Sequence, residues 1–162
     1  MEIRRANKQE ANKALEILKI GRRKMVEAGN HNQWDENYPS LSDVKRDIEE
    51  GSLYLVMEKE EILGVFTLLE GEDPSYKKIY GGSWLNEKDY LTLHRIASTG
   101  RKKKVLTYIL AWTKEKTDNI RIDTHEDNTI MKHILEKNNF LECGLIRVAD
   151  GSERIAYHWS KN

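Results

Sequence analysis

The sequence predicts a mixed α/β (α+β) protein, with a mostly antiparallel sheet, a central pair of parallel strands and helices on both faces. Three observations support this prediction. The apolar pattern gives the order strand, two helices, three strands, helix, strand, helix, two strands. A strand that is followed by a helix and then by another strand, as between residues 90 and 124, indicates a parallel pair. Asp150-Gly151 marks an antiparallel hairpin near the end of the chain.

The first strand and helix are predicted between residues 2 and 29. Glu2 to Arg5 has strand character, and Asn7 with Glu10 forms an N-cap and its partner carboxylate. The helix that follows repeats apolar residues every three to four positions and should end near Gly29. The apolar residues are Ala11, Ala14, Leu15, Leu18 and Met25.

A second, short helix is predicted before the central strands. Ser40 and Asp43 provide its N-terminal cap, and Gly51 ends it. Val44 and Ile48 form its apolar face.

The middle of the chain predicts a hairpin, a loop and a strand. Leu53 to Met57 and Ile62 to Leu69 form the hairpin, and Gly71 to Lys88 forms the loop. Tyr90 to Ala97 resumes strand character, with side chains that alternate between two faces. One face takes Leu91, Leu93 and Arg95, and the other takes Thr92, His94 and Ile96.

The last third predicts a helix, a strand, a second helix and the final hairpin. The helix spans residues 104–116, the strand spans 120–124, and the hairpin strands span 140–148 and 154–159. Asn128 caps the second helix, and Asn138 or Asn139 ends it. Its inward face is formed by Ile130, Met131, Ile134 and Leu135.

Length and charge narrow the class of protein. A chain of 162 residues predicts one domain, spanning residues 1–162. The 27 basic residues balance 27 acidic ones, which favours neither nucleic acid nor an anionic membrane as a partner. Cys143 has no partner for a disulfide, and no apolar run approaches the roughly 20 residues that cross a bilayer. We therefore expect a cytoplasmic protein, and its scattered histidines predict no metal site.

The order of elements, together with four groups of local motifs, resembles a bacterial subgroup of the GNAT family of acyl-CoA-dependent N-acyltransferases. The first two groups are Gln33-Trp34 with Tyr38-Pro39, and His94-Arg95-Ile96-Ala97. The third is Arg121-Ile122-Asp123-Thr124-His125 with Asp127-Asn128. The fourth is Asp150-Gly151-Ser152 with Arg154-Ile155-Ala156-Tyr157. The resemblance covers essentially the whole chain.

This resemblance implies transfer of an acetyl group from acetyl-CoA to a primary amine of a small molecule or peptide, by direct attack and without a covalent enzyme intermediate. In the family, the fourth and fifth strands separate, and backbone groups there meet the thioester and the pantetheine arm. The loop that follows the fourth strand holds the pyrophosphate. The cofactor-binding positions carried over are Ile96, Ala97, Ser98, Arg101, Lys102, Lys103, Lys104, Val105, Leu106 and Asn128.

The phosphate loop departs from the family pattern Arg/Gln-x-x-Gly-x-Gly/Ala. Arg101 matches, but Lys104 and Leu106 stand where small residues are usual. Lysine side chains can compensate by charge-assisted contacts to phosphate. The alternative is a protein of this fold that binds acyl-CoA or another anion without turnover. A further departure is Leu135, which stands where many relatives have a tyrosine that protonates the leaving thiolate.

Three residues are candidate catalytic groups: His94, His125 and Tyr157. An unperturbed imidazole titrates near about pH 6.5, which suits a general base at neutral pH. The alternatives are a hydrogen-bonded structural role for His94, a place at the start of a helix for His125, and packing for Tyr157.

Three aromatic residues in loops, Trp34, Tyr38 and Trp84, are candidates for the acceptor-binding pocket, with core packing as the alternative. Binding residues concentrate on loops because a rigid scaffold positions them there. The hairpins at the two ends of the sheet leave open edges, which a homodimer would cover.

Overall fold

The computed structural model describes residues 1–161 and confirms the predicted mixed sheet. In these residues seven strands form one sheet in the order β1-β2-β3-β4-β5-β7-β6. The strands are β1 (Glu2–Arg5), β2 (Leu53–Glu58), β3 (Glu61–Glu70), β4 (Leu91–Ser98), β5 (Asn119–Thr124), β6 (Leu141–Arg147) and β7 (Glu153–Ser160). The helices are α1 (Ala11–Glu27), α2 (Leu41–Glu49), α3 (Val105–Lys114) and α4 (Thr129–Lys137), and short 3-10 helices span Lys8–Glu10 and Pro74–Tyr76.

The helices cover both faces of the sheet, as predicted. Residues of α3 and α4 share one hydrophobic core with the sheet, and residues of α1 and α2 share another on the opposite face. The first core includes Phe66, Leu93, Ile109, Leu110, Ile122 and Leu135. The second includes Ala14, Leu18, Trp34, Val44, Leu55 and Ala97. A third, smaller core around Tyr76 and Trp84 lies against β6 and β7.

The helix caps follow the sequence closely, but two helix faces differ from their predictions. Asn128 accepts a hydrogen bond from the backbone N–H of Met131 and caps α4, as predicted. Ile130 was predicted to face inward on α4, and this is wrong because its side chain is 57% exposed. On α2, the buried Asp47 joins Val44 on the inner face, for which the sequence predicted Val44 and Ile48.

The parallel pairing of β4 with β5 is confirmed and is short. Only two register pairs join the strands, Leu91 with Ile120 and Thr92 with Arg121. Beyond these two pairs, no residue of β4 pairs with a residue of β5. The sheet therefore separates at its centre, between Leu93 on β4 and Ile122 on β5.

A β-bulge lies in β4 next to this separation. Arg95 and Ile96 together oppose Phe66 of β3, and Arg95 has a positive φ of 49°. The extra residue reverses the side-chain alternation that the sequence predicted. Ile96 therefore packs against the same core as Leu93, and the prediction that it shares a face with His94 is wrong.

Two further features concern the apolar character of the helices and the edges of the sheet. No helix within residues 1–161 combines the length and apolar character needed to cross a bilayer. The terminal strands β1 and β6 have an in-sheet neighbour on one side only. The predicted homodimer, which would cover such edges, stays a prediction.

Helix α1 packs unusually close to β4, at Gly21. A Cβ atom placed on Gly21 would lie 2.6 Å from the Cβ of Ala97, which real Cβ atoms essentially never do. Glycine is therefore required by the close approach of the helix to the strand. This contact sets the distance between α1 and the bulged strand.

We predict that Gly21→Ala destabilises the protein by about 1–3 kcal/mol, because overpacking at Ala97 outweighs the roughly 1 kcal/mol that alanine gains in a helix. Chemical denaturation would measure the free energy of unfolding. In the double variant Gly21→Ala/Ala97→Gly, the space opened on β4 should restore part of the loss. Unchanged or increased stability of Gly21→Ala would show that the contact is not limiting.

Candidate active site

A cavity of about 550 Å³ opens where β4 and β5 separate. His94, Arg95 and Ile96 of β4 form one wall, and Asp123 of β5 lies across from them. The connection between α1 and α2 contributes another wall. Its lining residues are Asn32, Gln33, Trp34, Asp35 and Tyr38.

His94 is held inside this cavity by a carboxylate. Its Nε2 lies 3.0 Å from Oδ2 of Asp73, and its Nδ1 lies 4.0 Å from Oδ2 of Asp123. Burial works to raise the pKa of Asp73, but hydrogen bonds from His94 and the backbone N–H of Ser75 lower it below its ordinary value. An ionised Asp73 can only accept, so Nε2 carries the proton and donates it to Asp73. The Nδ1 of a neutral His94 is therefore an acceptor on the side of Asp123.

Asp123 is the second carboxylate beside His94. Tyr76 donates a hydrogen bond of 2.6 Å from its hydroxyl to Oδ2 of Asp123. Burial and the negative charge of Asp123 raise the pKa of Tyr76 well above its ordinary value, so its hydroxyl stays a donor at neutral pH. Among residues 1–161, no side chain or backbone group donates to Oδ1 of Asp123, which leaves this oxygen available to a ligand.

Arg95 is fixed by a buried ion pair with α2. Its Nε donates to Oδ2 of Asp47 at 2.8 Å, and its Nη2 donates to Oδ1 at 3.2 Å. Asp47 is only 2% exposed and also accepts a hydrogen bond from Thr67. The remaining Nη1 of Arg95 donates to the hydroxyl of Tyr38 at 3.0 Å. The bulge in β4, helix α2 and the cavity wall at Tyr38 are therefore joined by one guanidinium.

Gln33 connects the α1–α2 connection to the start of α4. Its Oε1 lies 3.1 Å from Nδ2 of Asn128, 3.2 Å from Oγ1 of Thr124 and 3.3 Å from the backbone N of His125. Asn128 was predicted to bind cofactor, and the structure places it as a cap and as an anchor for Gln33. Sequence reasoning did not single out Gln33 as a site residue, although it lies in one of the motif groups.

The predicted phosphate loop runs from the end of β4 to the start of α3. Gly100 and Lys104 both have positive φ, of 80° and 66°. Lys104 is the N-cap of α3 and therefore adopts a conformation that favours glycine, with the free amides of the helix N-terminus directly after it. Leu106 packs against the core formed with α3 and α4, and Val105 is buried in that core.

Glutamates of the β2–β3 turn neutralise two cations of this loop. Arg101 pairs with Glu61, and Lys102 pairs with Glu58. A further cation comes from α1, where Lys24 donates from Nζ to the carbonyl oxygen of Ser98 at 3.1 Å. Lys103 forms no ion pair within residues 1–161.

Among the predicted catalytic and acceptor-binding residues, three do not line the cavity. His125 accepts a hydrogen bond at Nδ1 from the backbone N–H of Asp127 and forms the turn before α4. The buried Tyr157 donates to Glu136, and burial together with that carboxylate raises the pKa of Tyr157 well above its ordinary value. Trp84 donates to the carbonyl of Tyr76 and packs in the third core. The structure brings His94, Ile96, Trp34 and Tyr38 together at the cavity and leaves these three outside it.

The residues that sequence reasoning missed are Asp73, Asp123, Asp47 and Arg95. Asp47 was detectable, because it lies three residues after Val44 and so falls on the apolar face of α2. Asp73 lies in the long loop before β4 and had no local signal. Within residues 1–161 no three His, Cys, Asp or Glu side chains are arranged to hold a metal ion.

Solved structures similar to this chain are bacterial acetyltransferases. A GNAT-family acetyltransferase from Streptococcus agalactiae is 30% identical over 99% of this chain and 95% of its own, with a TM-score of 0.89. A GNAT-family acetyltransferase from Listeria monocytogenes is 16% identical over 98% and 94%, with a TM-score of 0.72. A putative acetyltransferase from Staphylococcus aureus is 17% identical over the full length of both, with a TM-score of 0.70. The last two show the shared fold alone. No protein-family model and no curated protein matches the chain.

We predict that Asp47→Asn destabilises the protein by about 3 kcal/mol or more, because it leaves the charge of Arg95 buried without its partner. The free energy of unfolding from chemical denaturation is the measurement. The double variant Asp47→Leu/Arg95→Met removes both charges and should lose less than Asp47→Asn alone. A change within about 0.5 kcal/mol for Asp47→Asn would contradict a structural role for the pair.

Proposed function

The chain belongs to the GNAT family of acetyltransferases, and we propose that it transfers an acetyl group from acetyl-CoA to a primary amine of a small molecule or peptide. The observation that carries this proposal is His94, held by Asp73 at the point where β4 and β5 separate. An imidazole with a free Nδ1 in a cavity is suited to take a proton from an amine. No covalent enzyme intermediate is needed.

The residues around the separated strands fit an acyl-CoA. Gly100 and Lys104 give the loop its left-handed turns, and the N-terminus of α3 presents free amides, which together favour a pyrophosphate. Lys103 and Lys24 add positive charge to this region. The bulge at Arg95 and Ile96 leaves backbone groups outside the β3–β4 ladder, available to a thioester oxygen. Acetyl-CoA supplies the acetyl group, activated as a thioester.

His94 acts as the general base in this proposal. The amine enters as an ammonium ion, and its nitrogen donates to Nδ1 of His94 and to Asp123. His94 takes one proton, and Asp73 stabilises the imidazolium that results. The neutral nitrogen then forms a bond to the carbonyl carbon, and the carbon–sulfur bond breaks. As the amide forms, the nitrogen loses its second proton to the water that protonates the departing sulfur. His94 then releases the first proton to solvent, so one proton is released overall.

The first test compares binding and turnover. Calorimetry should detect acetyl-CoA binding to the wild-type protein, and a thiol-release assay with a panel of primary amines should detect transfer. We predict that His94→Gln lowers kcat by about 100-fold or more, the usual contribution of a general base, while acetyl-CoA affinity changes less than about threefold. His133→Gln, an exposed histidine on α4, is the matched control and should keep wild-type kcat.

Three results would contradict this proposal in different ways. No acetyl-CoA binding at millimolar concentration would remove the donor. Binding without thiol release from any amine would favour an acyl-CoA-binding protein without turnover. Loss of kcat in His125→Gln together with normal kcat in His94→Gln would move the base to His125.

The glutamates of the β2–β3 turn give a second prediction. Glu58→Gln/Glu61→Gln frees Lys102 and Arg101 to contact the phosphates, so acetyl-CoA should bind about two- to tenfold tighter, a small gain because exposed ion pairs are weak competitors. The salt dependence of binding should also increase. The variant Glu49→Gln/Glu115→Gln removes the same charge elsewhere and controls for net charge. Equal tightening in both variants, or none in the first, would show that these glutamates do not compete with the phosphates.

A further inference from the structure

We propose that the acceptor is an aliphatic diamine or polyamine, with a second positive charge in addition to the amine that is acetylated. This inference rests on the proposed function and names the substrate class of the same cavity. It follows from which charged groups of the cavity are already paired and which remain free.

The positive groups that line the cavity are already engaged. Arg95 donates to Asp47 and to Tyr38, and the carboxylate of Asp47 neutralises its charge. Arg154 donates from Nη1 to Ser152 and to the carbonyl of Glu153, and from Nη2 to the carbonyl of Gln33. Arg154 forms no ion pair within residues 1–161, but it is only 6% exposed and is fixed by these three hydrogen bonds. The carboxylate of an amino acid acceptor would therefore meet one buried, fixed cation and four carboxylates in this cavity.

The negative groups of the cavity exceed what these cations neutralise. Asp73 and Asp123 flank one imidazole, and both are partly buried. Asp35 and Asp150 lie at the exposed rim of the same cavity. In each rim carboxylate Oδ1 caps a turn, and Oδ2 accepts nothing from residues 1–161. Arg154 near Asp150 offsets part of that charge, and Asp35 has no such neighbour among the ion pairs of the described residues.

Two ammonium groups of the acceptor account for the two pairs of carboxylates, one at Asp73 and Asp123 and the other at Asp35 and Asp150. His94 Nδ1 lies 4.0 Å from Oδ2 of Asp123, so one ammonium nitrogen placed between the imidazole and this carboxylate can donate to both, with hydrogen bonds of about 2.9 Å. The inference assigns a distal ammonium of the same acceptor molecule to the rim carboxylates, which line the same cavity. The rings of Trp34 and Tyr38, 6.4 Å apart between centroids, also line this cavity. Aromatic rings attract a cation as well as the methylene groups that carry it.

Three acceptors of equal chain length test this inference with the full-length protein and acetyl-CoA. They are 1,4-diaminobutane, butylamine and 4-aminobutanoate, which differ only in the distal group. We expect kcat/KM for the diamine to exceed that for butylamine at least tenfold, after the factor of two for its two equivalent amines. The value for 4-aminobutanoate should be the lowest of the three. Equal values for diamine and butylamine, or a preference for 4-aminobutanoate, would overturn the inference while leaving acetyl transfer in place.

A rim variant identifies the carboxylates responsible. In Asp35→Asn/Asp150→Asn the amide oxygens can still cap both turns, but the negative charge is removed. We expect kcat/KM for the diamine to fall about tenfold and that for butylamine to change less than twofold. An equal loss for both acceptors would overturn the assignment of the distal site.

Binding without the donor separates this inference from the proposed function. Calorimetry of 1,4-diaminobutane with wild type and with the rim variant reports cation recognition directly. Binding by wild type that weakens in the variant, without thiol release in any assay, would support the cation site and reject the transferase. No diamine binding, with thiol release from butylamine, would reject the cation site and support the transferase.

Discussion

The buried ion pair between Arg95 and Asp47 is the constraint on which the geometry of the cavity depends. It joins the bulged residue Arg95 of β4 to helix α2, and the guanidinium of Arg95 also donates to Tyr38 of the cavity wall. A charge buried without a partner is costly, so this pairing stabilises the register in which Arg95 reaches Asp47. The orientation of His94 toward the cavity and of Ile96 toward the core follows from that register.

Much of the fold was predictable because it is determined over short distances along the chain. The caps at Asn7, Ser40 and Asn128 and the turn at Asp150-Gly151 depend on residues within a few positions of one another. The periodicity of apolar residues is equally local, and it gave the order of strands and helices correctly. It was misleading at Ile130, where an apolar residue at a helix N-terminus faces solvent.

The site was less predictable because its chemistry joins residues that are distant in sequence. His94 contacts Asp73 across 21 positions, and Arg95 contacts Asp47 across 48. No pattern along the chain reports such pairs, since each forms only when separate parts of the chain, the loop before β4 or helix α2, have packed against β4. The bulge was missed for a similar reason, because the register of β4 is set by its partner strand. Histidine and tyrosine were chosen for their chemistry, but the fold decides which of them reach a cavity.

Lys104 shows that the loop between β4 and α3 forms a left-handed turn without the glycine that the family pattern has at this position. Its backbone lies in the left-handed region at a cost of roughly 1–2 kcal/mol, and the end of β4 and the start of α3 hold it there. The conformation of the loop thus depends on the strand that precedes it and the helix that follows it. The spacing of glycines in the sequence therefore does not identify this turn, whereas the backbone angles between β4 and α3 do.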